Sequence, residues 1–406
     1  MKRRTEPVET LDNERLTFSE ARGDTLLPGI PNEVTMAQIV PKLSWKDFYI
    51  LSSVSPAWCN AIRSRRVYNA RVRSCSTETL VLVRYVHYKL LEHLYNLLLY
   101  SMKDDSCYEL PPMPPLPLSS TLIKYWSTSV SMDGKVYVME VWREFDSVVV
   151  ISRSFNRVCV LDIAGQRQWQ ECANMPITRE RFGCGVLDGK IYTFGGRAKC
   201  GSEVFDPKEN MWSRIKPMAS SRYDDQVSVM GDKLFVHGGH MYLDGGHMYR
   251  DDYALMPSAN TSEVYHPTRD EWTVVEHFQR QLGEDKNEIV FMAQGKFYSL
   301  SDEDMHVYDF ESRAWTYLQS FSFAKIGPVQ YRTVVPVAVL AVDDELVVLA
   351  DVVKVKKRER IIIRSEGLRA KKIDIVWREA RIPSKIWPRC FWRDFLQGAC
   401  MAAVYL

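Results

Sequence analysis

Residues 181–218, RFGCGVLDGKIYTFGGRAKCGSEVFDPKENMWSRIKPM, read as four short strands in a row. Residues 183–187 alternate small and apolar side chains, and Asp188-Gly189 then supplies a two-residue turn whose positive φ angles suit strand twist. Residues 190–194 form the return strand, which stops at Gly195-Gly196. A third strand at 202–205 ends at Asp206-Pro207, a fourth is centred on Trp212, and Pro217-Met218 closes the unit. A four-stranded sheet of about 40 residues cannot cover both of its faces, so it needs copies of itself to stack on.

The copies are present. The hairpin turn recurs as Asp133-Gly134-Lys135, Gly231-Asp232-Lys233, Gln294-Gly295-Lys296 and Asp343-Asp344-Glu345, each between apolar runs, and the double glycine recurs at Gly238-Gly239. The interval from Pro207 to Trp212 recurs from Pro267 to Trp272, and Phe310 and Trp315 keep it. Trp169, Trp212, Trp272, Trp315 and Trp377 therefore read as equivalent positions, with steps of 43, 60, 43 and 62 residues: two regular repeats and two with insertions. Cys107 precedes Met113 as Trp212 precedes Met218, which places a degenerate first unit at 80–117 with Cys107 where the others carry Trp. Further units are expected at 125–178, 179–220, 221–275, 286–321 and 331–395, and the apolar residues 399–406 are expected to add a closing strand to the first.

This pattern resembles the kelch motif, whose signature is a double glycine, a Tyr or Phe with an acidic residue, and then a Trp at fixed spacing. The resemblance covers roughly residues 80–400 and implies an all-β kelch β-propeller of about six blades, in which ring closure removes free sheet edges. The chain departs from the signature where no Gly-Gly follows Met139, Leu300 or Leu349.

With 46% apolar and 26% charged residues, the 406-residue chain has an ordinary globular composition with room for two domains. A net charge of +2 gives no reason to expect a nucleic acid or a membrane surface as partner. Nine scattered cysteines without a C-x-x-C pair fit reduced thiols in the cytoplasm or nucleus, and the polar start MKRRT contains no signal-peptide core. The apolar stretch 80–102 is interrupted by Arg84, His87, Lys89, Glu92 and His93, so it does not read as a membrane span.

Residues 1–24 are charged and poor in large apolar side chains, the composition of a disordered tail. Residues 26–62 differ in kind. A short helix is expected at 34–40, stopped by Pro41. Ser44 with Asp47 forms a capping pattern for a second helix reaching Val54, and Ser55-Pro56 starts a third. Three helices this small cannot enclose all of their Leu, Ile, Val, Met, Phe and Trp side chains, so part of that surface must meet either the chain's own sheets or a partner.

The order Leu27-Pro28, Ile30-Pro31, an acidic residue, a short helix, Leu43, Asp47, Leu51, Val54 and Trp58 looks like an F-box, and its position before kelch repeats is similar to the plant F-box/kelch proteins. The resemblance implies a small all-α F-box domain at 25–64, a linker helix at 65–79 and a propeller at 80–406. It also implies the role of substrate receptor in a Skp-cullin-F-box ubiquitin ligase. Leu27, Pro28, Ile30, Pro31, Val34, Ile39, Leu43, Leu51, Val54 and Trp58 are then the candidate adaptor contacts or their supporting core. Lys42-Leu43-Ser44 and Ser55-Pro56-Ala57 depart from the commoner F-box residues. The partners implied are a Skp-family adaptor, through it a cullin, and a protein substrate. A kelch scaffold acting outside a ligase is the alternative.

The kelch resemblance also implies partner-reading arginines just after the Pro-containing turn that ends a blade; the corresponding residues are Arg179, Arg181, Arg222 and Tyr223. The arginine guanidinium groups suit carboxylates on a substrate or could pair with local acids such as Glu180, Asp224 or Asp225. Residues 60–73 carry five arginines and no acid, read as a solvated helix face joining two domains. His237, His240 and His247 lie among glycines and aspartates, but a lone His-x-x-His in a loop does not make a metal site, and no metal or other cofactor is expected. With no phosphate loop, nucleophile elbow or dinucleotide fingerprint, the chain reads as non-catalytic.

Overall fold

The structure, a computed structural model, describes residues 25–405 apart from 90–91, 118–122, 146–151, 197–200, 221, 242–260, 277, 279–288, 302–303, 321–324, 327–328, 331–332, 343–344, 355–356, 367–375 and 380–400. The tail expected at 1–24 thus lies outside the described residues, as do residues 242–249 of the near-duplicated stretch GGHMYLDGGHMY at 238–249.

Among the described residues, six four-stranded antiparallel sheets follow one another along the chain, with one additional two-stranded pair, Lys325–Ile326 with Val329–Gln330. The third sheet is the repeat first read: Phe182–Leu187, Lys190–Gly195, Ser202–Asp206 and Met211–Ile215. The second runs Ile123–Met132, Lys135–Phe145, Ser152–Asp162 and Trp169–Cys172. The fourth begins at Arg222–Met230, the fifth at Ile289–Ala293 and the sixth at Thr333–Val342. The first sheet is completed by the far end of the chain: Met401–Tyr405 pairs antiparallel with Thr79–Lys89, giving the closing strand expected from residues 399–406. That strand lies beside Ile123–Met132 on one side and Thr333–Val342 on the other, so the sixth blade meets the first and the ring is closed.

The strand register bears out the tryptophan ruler. Third and fourth strands pair Leu161 with Trp169, Phe205 with Trp212, Tyr265 with Trp272, Tyr308 with Trp315 and Ser365 with Trp377. In the first blade the same position pairs Tyr100 with Cys107. Two residues before each of the first five of these positions in chain order, Asp105, Arg167, Asn210, Asp270 and Arg313 turn the chain with φ between 49° and 55°. Four indoles then reach back to the blade before, donating Nε1–H to Pro111 O (3.0 Å, Trp169), Ala173 O (2.8 Å, Trp212), Lys216 O (2.8 Å, Trp272) and Phe278 O (2.6 Å, Trp315). One side chain thus packs its own blade and satisfies a carbonyl of the connection into it. At the double glycine, Gly196 adopts φ +90°, and a Cβ there would come within 3.0 Å of Arg179 Cβ and Glu180 O. Only a residue without a side chain fits.

The helical unit departs from its expectation in two places. Pro41 does not stop the first helix: Asn32–Val34 continues through a π-helical stretch, Thr35–Ile39, into a 3₁₀ turn, Val40–Lys42, that takes Pro41 near its start. A proline is tolerated there because a first-turn N–H has no intrahelical acceptor. The second helix, Trp45–Leu51, ends before Val54, whose N–H bonds Leu51 O in a turn. Its start is as read: Ser44 Oγ accepts from Asp47 N at 3.2 Å while the Asp47 carboxylate accepts from Ser44 N at 3.0 Å. Pro56–Ile62 begins at Ser55, and Arg65–Arg73 follows at once.

Candidate partner-docking site

Consecutive antiparallel strands divide the propeller into two rims. On one lie the tight turns joining first to second and third to fourth strands; on the other lie the second-to-third loops and the connections between blades. The helical unit sits on the tight-turn rim of the first two blades. Arg65 donates to Asp133 O at 2.9 Å and Asp133 Oδ2 at 2.6 Å, and the Tyr68 ring closes over Gly134, whose φ of +66° and missing Cβ permit the approach. Arg167, from the third-to-fourth turn of the second blade, lies 4.7 Å over the Trp45 ring. Burial, with Arg63 nearby, pulls the Arg167 guanidinium down to about 10. Glu78 ties the two parts together by accepting from Trp45 N and Ser101 Oγ, each at 3.0 Å.

Behind these polar contacts lies one apolar core. Val40, Trp45, Phe48, Ile62, Val67 and Tyr68 pack with Leu80, Leu82, Leu97, Leu99, Val136 and Leu161 of the first two blades. The arginine run therefore has a mixed fate. Arg65 pairs with the propeller, and Arg71, 2% exposed, donates to Leu43 O under the Phe48 ring, whereas Arg63, Arg66 and Arg73 face solvent.

The ten residues singled out as adaptor contacts or support divide accordingly. Leu43, Leu51 and Trp58 pack against the shared core. Leu27, Ile30 and Ile39 are half-buried. Pro28, Pro31, Val34 and Val54 are exposed. Pro28 and Gly29 occupy the corners of a turn closed by Ile30 N donating to Leu27 O at 3.2 Å. With Gly29 at φ +79°, this is a type II turn, which favours proline at the first corner and needs a residue such as glycine at the second. Two exposed residues were not singled out from the sequence, Tyr49 (56%) and Ile50 (52%). The signal was present: Trp45 and Phe48 mark the inward face of their helix, and Ile50 stands off it. Among the described residues, four of the ten exposed large hydrophobics, Val34, Tyr49, Ile50 and Val54, fall between residues 34 and 54, which concentrates apolar surface on this unit.

The opposite rim carries the inter-blade arginines, and their placement is a correction. Arg179 and Arg222 are both 0% exposed. Arg179 pairs with Glu203 at 2.8 Å and donates to the carbonyls of Gly195 and Gly201; Arg222 Nε lies 3.8 Å from Glu263, whose carboxylate also accepts from Ala219 N and Ser220 N. Both guanidinium groups hold connections between blades and present no surface to a substrate. The pairs described are with third-strand glutamates, Glu203 and Glu263; the side chains of Asp224 and Asp225 lie outside the described residues. Burial pushes the Glu203 carboxyl up while Arg179 opposes it. Arg181, half-buried with φ 57°, keeps some surface on this rim, and Tyr223 lies in the first strand of the fourth blade.

No cluster of potential metal ligands occurs among the described residues. His237 is fully buried, its Nε2 3.0 Å from Ser228 Oγ, and burial followed by the charge of Arg222 pushes its ring down to about 3. His247 lies outside the described residues. Cys59, Cys75, Cys107, Cys159, Cys172 and Cys184 form no disulfide, and no described helix is long and apolar enough to cross a membrane.

Comparison with known proteins agrees with this architecture. The Kelch motif profile matches residues 178–219. An F-box/kelch-repeat protein of Arabidopsis thaliana is 29% identical over 62% of this chain and 46% of its own length, and the Arabidopsis F-box/kelch-repeat protein SKIP30 is 28% identical over 47% of this chain and 53% of its own. Kelch-like protein 26 of Danio rerio is 26% identical over 37% of this chain and 25% of its own length. The chain spans about half the length of the first two relatives it matches. It is a β-propeller protein that carries a kelch motif and is a homologue of the plant F-box/kelch-repeat proteins.

Proposed function

We infer that this chain is the substrate-recognition subunit of a Skp-cullin-F-box ubiquitin ligase, with residues 25–64 docking the Skp adaptor and the propeller holding the protein to be modified. One observation carries the reading: the helical unit remains apolar on its outer side after its inner side is buried on the propeller, with Val34, Ile50 and Val54 left 38%, 52% and 60% exposed. Adaptor contact falls to Pro28, Pro31, Val34, Ile50 and Val54, while Leu43, Leu51 and Trp58 support them from the core. Target capture falls to the loop rim, where Arg181 and Tyr223 are the remaining candidates from the inter-blade positions.

The two-rim arrangement suits such a role. An adaptor on the tight-turn side leaves the loop side unobstructed, so a target and the ligase can be held at once. The chain itself supplies no catalytic group. It acts by proximity, raising the effective concentration of a target near a charged conjugating enzyme in the cytoplasm or nucleus.

The second reading, a kelch scaffold outside any ligase, draws on the shared core: the helices cover the first two blades whether or not an adaptor binds. Binding of purified Skp adaptor to the chain carrying Val34→Asp and Val54→Asp separates the two. Both positions are exposed, so the fold should survive. Loss of anchor contacts at an interface commonly costs about 2 kcal/mol or more, roughly thirtyfold in affinity. Unchanged affinity would favour the scaffold.

A further inference from the structure

A cleft of about 440 Å³ opens on the loop rim of the second blade, between the connection arriving from the first blade and the one leaving for the third; Pro117, Trp142, Phe155, Arg157, Glu171 and Thr178 are among its lining residues. This volume is within the range that accepts a ligand or a bulky side chain. Phe155 is 38% exposed, and its ring stacks on Trp142 with centroids 5.5 Å apart and planes at 19°. Trp142 backs one face of the ring.

The charge available in the cleft is negative. Arg157 is the only basic residue among the lining residues, and its side chain is 7% exposed. Its guanidinium is committed: Nε and Nη2 donate to Glu140 Oε2 at 2.8 and 2.5 Å, Nη1 to Pro115 O at 3.1 Å and Nη2 to Pro114 O at 2.9 Å. Glu140 is neutralised by that pair and also accepts from Tyr125 Oη. Nearby Arg143 is held by Glu180 at 2.6 Å. Glu171 stands exposed on the outer strand with no ion pair among the described residues. The cleft thus offers a cation a partly exposed aromatic ring and a carboxylate, with the one guanidinium of its lining, Arg157, neutralised; Arg153, exposed two residues before Phe155, is not among the lining residues.

We propose that this cleft receives an arginine or lysine side chain of a bound protein, its cation over the Phe155 ring and paired with Glu171. The proposal deepens the reading of the loop rim as the target-capturing side and rests on it, but not on the adaptor assignment. Its test is nuclear magnetic resonance of the full chain carrying 4-fluorophenylalanine, with the Phe155 signal identified by its loss in Phe155→Leu. The probes are the N-acetyl amides of arginine, lysine, leucine and glutamate. The Phe155 signal should move with the arginine and lysine probes and not with the other two, and Glu171→Gln should weaken the response about threefold, the scale of an exposed ion pair. A signal that moves equally with leucine, moves with glutamate alone, or moves with none of the four would overturn the proposal. Adaptor affinity, measured on the same Glu171→Gln protein, should be unchanged, so failure at this cleft is distinct from failure of the ligase reading.

Discussion

Replacing Trp45 with alanine asks whether the helices and the propeller are one cooperative structure. Trp45 is 4% exposed within the core that joins the helical unit to the first two blades, with Phe48 at 6.2 Å and the Arg167 guanidinium over its ring. Trp→Ala in a core costs about 3–5 kcal/mol. Two local terms adjust that range. Trp45 Nε1 is buried without a hydrogen-bond partner, so losing it returns about 1 kcal/mol, while losing the ring under Arg167 removes about 0.5–1 kcal/mol of cation–π attraction. The expected net loss is about 4 kcal/mol. Urea unfolding followed in parallel by the helical circular-dichroism signal and by tryptophan fluorescence reads it, as a lower midpoint with unchanged slope. Both signals should shift together. If the helical signal collapsed at low urea while the fluorescence transition stayed at the wild-type midpoint, the shared core would not couple the two parts. The same reasoning applies to deleting residues 1–75. That change would bare Leu80, Leu97, Val136 and Leu161, so point substitutions on the exposed face are the better probes of adaptor binding.

Three further outcomes follow from the geometry. Trp212→Phe keeps an aromatic ring against Phe205 but leaves Ala173 O without its 2.8 Å donor, which should lower stability by about 1–2 kcal/mol in a urea titration. Glu203→Ala strands the fully buried Arg179 and should cost about 3–5 kcal/mol, whereas Arg179→Met combined with Glu203→Met should recover most of that loss, because a buried pair is costly mainly when half of it is removed. Hydrogen bonds from the Ser44 side chain and amide hold the Asp47 carboxyl below its ordinary 3.8. A depressed folded-state value makes the cap's contribution complete above 3.8 and lost as pH falls through the lowered value. The stability gap between wild type and Asp47→Ala should therefore narrow in acid and be constant near neutrality.

Much of the propeller was legible because its signals are local. A two-residue hairpin turn such as Asp188-Gly189 and a Trp at a fixed interval after Pro or Phe recur in the sequence itself, and even Cys107 could be placed by its interval to Met113. The closing strand was legible from its apolar composition. Less accessible was the direction in which each apolar or charged side chain faces. Arg179 and Arg222 had acids one to three residues away, and the sequence did not show that both also meet third-strand glutamates, Glu203 and Glu263, brought in by strand pairing across each blade. Trp45 and Ile50 are five residues apart on one short helix, and only the docking of that helix on the first two blades makes one core and the other surface. Pro41 was misjudged for a local reason: the π-helical stretch before it opens into a new 3₁₀ turn that admits a proline.

The central claim is that the outer side of the helical unit holds a ligase adaptor while the propeller holds a target. Its most direct test is affinity capture of the intact chain and of the Ile50→Asp, Val54→Asp double variant, with the retained proteins quantified by mass spectrometry. The account predicts Skp adaptor and cullin with the intact chain, their loss from the variant, and a set of other proteins retained by both. Equal adaptor recovery from the two, or adaptor and cullin from neither, would contradict it.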